Sequence, residues 1–302
     1  MTDKNSNAVS RLTAEPVLGQ AMNNITVLRL DRMGGLAPGN KVFKLRQVIA
    51  RAKQQGISRI VSFGGAWSNH LHALAAVGAR EGLETIGVVR GAEADTATLR
   101  DARRWGMQVV SVSREEYRRR NDPGYQDQLA REYNPCLVLP EGGASVDGVL
   151  GCTEIALLAD KLAPAMNRVV VPVGTGTTLA GLAAGLRPGP SLVGIAALKN
   201  AADLEQRVSQ GLQGAQQRAA VGWTILHDYH CGGFARASED LKAFMREFER
   251  VQGLLLEPVY TGKMFFAVHQ LLASGVWRFD ESLLLIHTGG LQGRRGYPWL
   301  NV

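Results

Sequence analysis

The sequence predicts an α/β protein built on two doubly wound parallel sheets, on three observations. Short runs of Val, Ile and Leu alternate with amphipathic stretches of helical period. The runs fall into two blocks, one between Arg59 and Leu139 and another from Arg168 onward. Each helical stretch follows a strand closely enough for right-handed βαβ units, which bury a parallel sheet under helices on both faces.

Taken in order, Ile25 to Leu30 reads as the first strand because its apolar and β-branched residues suit a pleated, buried surface. The amphipathic run Lys44 to Gln55 is a helix, after a turn at Gly39-Asn40-Lys41. Arg59 to Phe63 is a strand closed by Gly64-Gly65, and Ser68 opens the helix Asn69 to Glu81. Strands at Thr85 to Val89, Gln108 to Val112 and Cys136 to Leu139 complete the first block, with a helix at Ala97 to Trp105. A helix from Val149 to Leu162 leads into the valine-rich strand Arg168 to Val173. Helix Leu179 to Leu186, strand Leu192 to Ala196, helices Ala237 to Glu249 and Lys263 to Ser274, and strand Leu283 to His287 finish the second block.

With 302 residues, 45% hydrophobic and 20% charged, the chain can bury a substantial core. No stretch approaches the roughly 20 apolar residues that span a bilayer, and Met1 to Glu15 is polar, so the expected location is cytoplasmic. The cysteines, Cys136, Cys152 and Cys231, are too far apart for a disulfide framework or a zinc site, and no metal is expected. The net charge of +7 and the run Arg118-Arg119-Arg120 come with only 6% aromatics and no nucleic-acid motif. They read as a solvated basic face that tolerates anionic ligands, with no nucleic-acid partner.

Three segments carry the chemistry. Gly174-Thr175-Gly176-Thr177-Thr178 ends a strand and opens a helix, where glycines let backbone N–H groups converge and hydroxyls add donors for a phosphate. It lacks the Gly-Lys-Ser/Thr of a nucleotide-binding P-loop, Leu179 replaces the third glycine of a dinucleotide fingerprint, and the next strand ends at Ala196-Ala197 without an acid for a ribose. Ser68-Asn69-His70 places a helix N-terminus where a carboxylate would be welcome, although Ser68 is also a plain N-cap. Lys41, in a glycine-flanked turn, is the amine, preferred to Lys44 because Lys44 belongs to the helix. A lysine, a helix start and a phosphate cradle together are the equipment of an enzyme that holds pyridoxal 5'-phosphate on a lysine.

These residues, with Pro140-Glu141-Gly142-Gly143, the run Glu257 to Lys263 and His287-Thr288-Gly289-Gly290, occur in an order that resembles the 1-aminocyclopropane-1-carboxylate deaminase/D-cysteine desulfhydrase family from about Leu30 to Tyr297. The resemblance implies the tryptophan-synthase-β type of fold, fold type II, as a homodimer. It implies three-layer domains, a larger cofactor-binding one of residues 1–43 plus 138–302 and a smaller one of 44–137. It makes Lys41 the lysine that condenses with the cofactor aldehyde, and Asn69 the neighbour of the ring oxygen. Ser68 and the amides around His70 become the carboxylate site, Gly174 to Thr178 the phosphate loop, Tyr260 an active-site tyrosine and Thr288 the contact of the pyridine nitrogen.

Thr261 stands where ring-opening deaminases resemble Val-Tyr-Glu-Gly, so the resemblance favours the desulfhydrase branch. The implied reaction on a small amino-acid substrate is removal of the α-proton by Lys41, loss of a β-substituent such as a thiol with help from Tyr260, and release of pyruvate and ammonia. Ring-opening deamination, racemisation, β-replacement, and cofactor binding without turnover are the alternatives. Pro38, Val42-Phe43 and Phe234 depart from the family pattern, the last standing in for a second active-site tyrosine. His72 is expected to pack rather than act.

Overall fold

The computed structural model describes residues 8–11, 24–33, 35–91 and 95–300. Two sheets organise them. The larger has six strands in the order β1-β2-β10-β7-β8-β9, and the smaller has four in the order β5-β4-β3-β6. Here β1 is Val9–Arg11, β2 Ile25–Arg29, β3 Arg59–Gly64, β4 Glu84–Arg90, β5 Gln108–Val112, β6 Cys136–Leu139, β7 Arg168–Val173, β8 Ser191–Ala196, β9 Trp223–Leu226 and β10 Leu283–His287. Only β1 runs antiparallel to its neighbour, with Val9 opposite Leu28; in the parallel interior Leu283 pairs both Ile25 and Arg168.

Among the described residues ten α-helices cover the sheets: α1 Asn40–Gln54, α2 Asn69–Glu81, α3 Ala97–Arg104, α4 Arg114–Arg118, α5 Pro123–Glu132, α6 Val146–Leu162, α7 Thr177–Gly185, α8 Leu204–Gly214, α9 Glu239–Gln252 and α10 Thr261–Ala273. One face of the large sheet packs Val169, Val171 and Ile286 against α6, α7 and α8, and the other packs Val27, Val170 and Leu285 against α9 and α10. The small sheet is sandwiched likewise, between α1, α2 and α3 on one side and Tyr117, Tyr125 and Leu129 of α4 and α5 on the other. Strands buried on both faces read as unbroken apolar runs, which is why β7 and β10 are legible. No described helix is long and apolar enough to cross a membrane.

The observed elements differ from the expectation in places that matter. Helix α1 starts at Asn40, not Lys44, because the Asn40 amide bonds to Thr288 O at 3.0 Å and Gly39, at φ 127°, ends the preceding segment. Lys41 therefore sits in the first helical turn, on the same helix as Lys44. The expected domain boundary falls inside α1, whose Phe43 joins the large-sheet core while Leu45 and Val48 join that of the small sheet. Strands β1 and β9 and helices α4, α5 and α8 add to the predicted set; the two strands are short edges with little apolar alternation. The basic run is partly used: Arg119 stacks on Tyr125, and Arg120 stacks on Tyr117 while binding Glu141.

Candidate active site

The loops after β3, β6, β7 and β10 meet α1 in one cleft at the carboxyl ends of the strands, where parallel α/β sheets bind ligands. Two glycines set its centre. Gly39 and Gly289 form an isolated antiparallel bridge, and a Cβ on Gly39 would fall 2.5 Å from Thr288 O. Only two bare backbones come this close. The approach sets Asn40, next to Lys41, on Thr288 O, although the two are far apart in sequence.

Lys41 Nζ donates to Asn40 Oδ1 at 3.1 Å, and Asn40 Nδ2 donates to Thr178 Oγ1 at 2.9 Å. The amine is thus two hydrogen bonds from the loop at 174–178. Burial pushes its pKa down, against partial compensation from Cys152 and Glu257. Thr178 Oγ1 accepts from Asn40, and the oxygens of Thr175 and Thr177 meet at 2.9 Å in the same loop. Lys44 Nζ reaches the same place, donating to Gly142 O at 3.1 Å and Thr175 Oγ1 at 3.3 Å. Burial first, then repulsion by Lys41, lowers its pKa to about 7. Positions three apart on a helix share a face, so the spacing of Lys41 and Lys44 held this signal. In sequence alone the two stand as competing candidates for one amine.

Ser68 caps α2, its Oγ accepting from Leu71 N at 3.2 Å. The amides of Asn69 and His70 lie in the first turn, where no intrahelical acceptor exists. Asn69 Oδ1 accepts from Gln292, and its Nδ2 lies against Gly290. The His70 side chain turns inward, Nε2 standing 2.9 Å from Ser62 Oγ. Ser62 Oγ also lies 3.1 Å from Leu139 O, and the buried Nδ1 has no hydrogen-bond partner among the described residues. Burial and the two lysines hold His70 neutral, its pKa lowered to about 3. His72 packs as expected, bonded to Asp101 and edge-on to Trp105.

The Tyr260 ring lies against Gly174, where a Cβ would be 2.9 Å from its Cε1. Burial raises its pKa, so the phenol keeps its proton. The preceding Glu257, which the sequence reading left without a role, is buried and accepts from the amides of Val259, Tyr260 and Thr261. It caps α10 from three residues before the usual position and holds Tyr260 to the cleft. Thr261 Oγ1 accepts from Glu257 N at 2.9 Å. Lys263, also without a role in the sequence reading, extends under the site to Ala197 O and Gly233 O, and burial lowers its pKa to about 8. Phe234 meets the Tyr260 ring edge-on at 6.4 Å.

Two parallel sheets covered by helices, with a glycine-threonine loop two hydrogen bonds from a desolvated lysine, define the fold type II class of pyridoxal phosphate enzymes. The chain belongs to the pyridoxal-phosphate dependent enzyme family, whose sequence profile matches residues 14–289. Within it the chain falls among 1-aminocyclopropane-1-carboxylate deaminase/D-cysteine desulfhydrase homologues. The D-cysteine desulfhydrase of Klebsiella pneumoniae subsp. pneumoniae is 31% identical over 274 residues, 83% of this chain and 82% of the relative. The crystal structure of an ACC deaminase homologue is 27% identical with a TM-score of 0.77, covering 92% of this chain and 88% of that one. A threonine deaminase from Solanum lycopersicum shares the fold alone, with a TM-score of 0.66 at 14% identity over 88% of this chain and 75% of the other.

The family cofactor is pyridoxal 5'-phosphate. The residues fit it on chemical grounds: Lys41 and Lys44 are held together in a desolvated cleft, and neither has a carboxylate within 4.0 Å among the described residues. An anion beside the paired hydroxyls of Thr175 and Thr177 removes that imbalance.

Proposed function

We propose that this protein is a lyase that eliminates a β-substituent from a small amino acid, D-cysteine or a relative, releasing pyruvate and ammonium. The observation that carries it is Thr261: a hydroxyl bonded to Glu257 N stands where the ring-opening branch of the family has an acid. Glu257 does not replace that acid, because its oxygens are taken by three backbone amides. This disfavours opening of a cyclopropane ring and suits loss of a good leaving group.

Bound pyridoxal phosphate supplies the electron sink for charge developing at the substrate Cα. Thr175, Thr177, Lys44 and the amides from Gly174 onward would hold its phosphate, with Asn69 serving its ring oxygen and Thr288 its ring nitrogen. Ser68 and the first-turn amides of Asn69 and His70 orient the substrate carboxylate. Lys41, whose burial favours the neutral amine, takes the α-proton. Tyr260, whose phenol stays protonated, donates toward the leaving group. A cytoplasmic homodimer belongs to the same proposal, supported by the family resemblance, and sedimentation velocity tests the assembly.

Borohydride reduction of the holoenzyme followed by peptide mapping is expected to leave the cofactor on Lys41. Lys41→Ala should lose the visible band of the lysine-bound cofactor and all pyruvate release. Label on Lys44, or a fully active alanine variant, would end the assignment.

A further inference from the structure

Two exposed aromatic side chains adjoin residues of the site. Phe234, 55% exposed, stands edge-on to Tyr260, and Trp67, 42% exposed, sits immediately before Ser68 at the start of α2. The two are joined by a continuous strip of chain. The Trp67 indole lies on Gly296, where a Cβ would come within 3.1 to 3.2 Å of three indole atoms, and the adjacent Tyr297 hydroxyl donates to Ala235 O at 3.1 Å.

The loop that presents Phe234 is held in an unfavourable shape. Cys231 at φ 49° and Ala235 at φ 57° are left-handed without being glycine, and Gly232 and Gly233 between them also have positive φ. Strain of this kind persists only where surrounding contacts impose it. Here they are the buried Lys263 ammonium on Gly233 O at 2.6 Å and the Tyr297 hydroxyl on Ala235 O. Both anchors hold an apolar ring in solvent, facing a phenol in the cleft. Exposed aromatic surface next to a ligand site gains free energy when a ligand covers it.

We infer that Phe234 and Trp67 form a recognition wall for a bulky apolar group on the β-substituent, which makes S-alkyl or S-aryl cysteines the preferred substrate class. This rests on the lyase reading above and narrows it. In the step it implies, the Cα–H and Cβ–S bonds break, Lys41 takes the α-proton, and the C–S electron pair leaves with sulfur, which gains a proton from Tyr260 to give a thiol. The released 2-aminoacrylate takes up one water to yield pyruvate and ammonium, and no oxidant or reductant is required.

The test measures pyruvate from the holoenzyme with β-chloroalanine, cysteine and S-benzylcysteine, each in both enantiomers. Calorimetric binding of alanine and phenylalanine, which have no β-leaving group, gives a readout independent of turnover. For the accepted enantiomer, kcat/KM for S-benzylcysteine should exceed that for cysteine by about tenfold or more, and phenylalanine should bind about tenfold tighter than alanine. Phe234→Ala and Trp67→Ala should each collapse both ratios. Pyruvate from β-chloroalanine without these preferences would overturn the wall and leave the lyase reading standing. No pyruvate from any of the three would overturn the lyase reading, while the calorimetric ratio would still decide the wall.

Discussion

Lys44 is a lysine whose charge depends on its neighbours. Its pKa of about 7 reflects burial beside Lys41, and a phosphate dianion at Thr175 would favour the ammonium and raise that value. Between the two values binding takes up a proton, so affinity falls as pH rises. Inorganic phosphate titrated calorimetrically into cofactor-free protein between pH 8 and 10 should show this fall, with proton uptake revealed by buffers of different ionisation enthalpy. Lys44→Met should remove the uptake and weaken binding by about tenfold or more, the loss of one charge-assisted partner. Lys41, Asn69 and the loop from Gly174 to Thr178 stand out in sequence because glycines, hydroxyls and an amine leave a pattern, and the structure brings Lys41 within two hydrogen bonds of Thr178. Glu257 and Lys263 were not, since a carboxylate turned onto its own backbone amides and an ammonium reaching two distant carbonyls depend on folded geometry.

At the scale of an element, the turn from Cys231 to Ala235 is the most strained of the described segments that border the cleft. A left-handed non-glycine residue costs roughly 1 to 2 kcal/mol, partly offset in a glycine replacement by the greater freedom of the unfolded chain. Ala235→Gly should therefore raise unfolding stability by about 0.5 to 1 kcal/mol in urea denaturation. A loss of stability would mean that the Ala235 methyl has packing of its own. Apart from the edges β1 and β9, the strands were legible in sequence because burial leaves runs of valine and leucine, as in β7. The start of α1 was not, because a residue near the other end of the chain decides it: Thr288 O accepts the Asn40 amide and draws the helix back over Lys41.

Across the whole molecule, the two sheets are coupled beside the cleft through a charged junction. Asp101 of α3 accepts from Arg295 at 2.5 Å and bonds His72 of α2 at 3.2 Å, so the segment after β10 is tied to the helices of the small sheet. The Arg295 hydrogen bond lowers the Asp101 pKa first, so the tie is complete above the ordinary carboxylate range and fails as pH falls through the lowered value. Asp101→Ala should speed amide hydrogen exchange in α3 and in residues 291–296 while β7 and β8 keep their protection. Uniform acceleration everywhere would instead make Asp101 a determinant of global stability.

Strand β10 hydrogen-bonds to β2 on one side and β7 on the other. A ribosome that has delivered everything through β9 has still not delivered the piece that joins the first large-sheet strands to the rest. The small sheet precedes β10 in the chain, but the backbone crossing of Gly39 and Gly289 must wait for β10 to emerge. The nascent polypeptide thus carries Lys41 without the crossing that seats its turn until β10 has emerged.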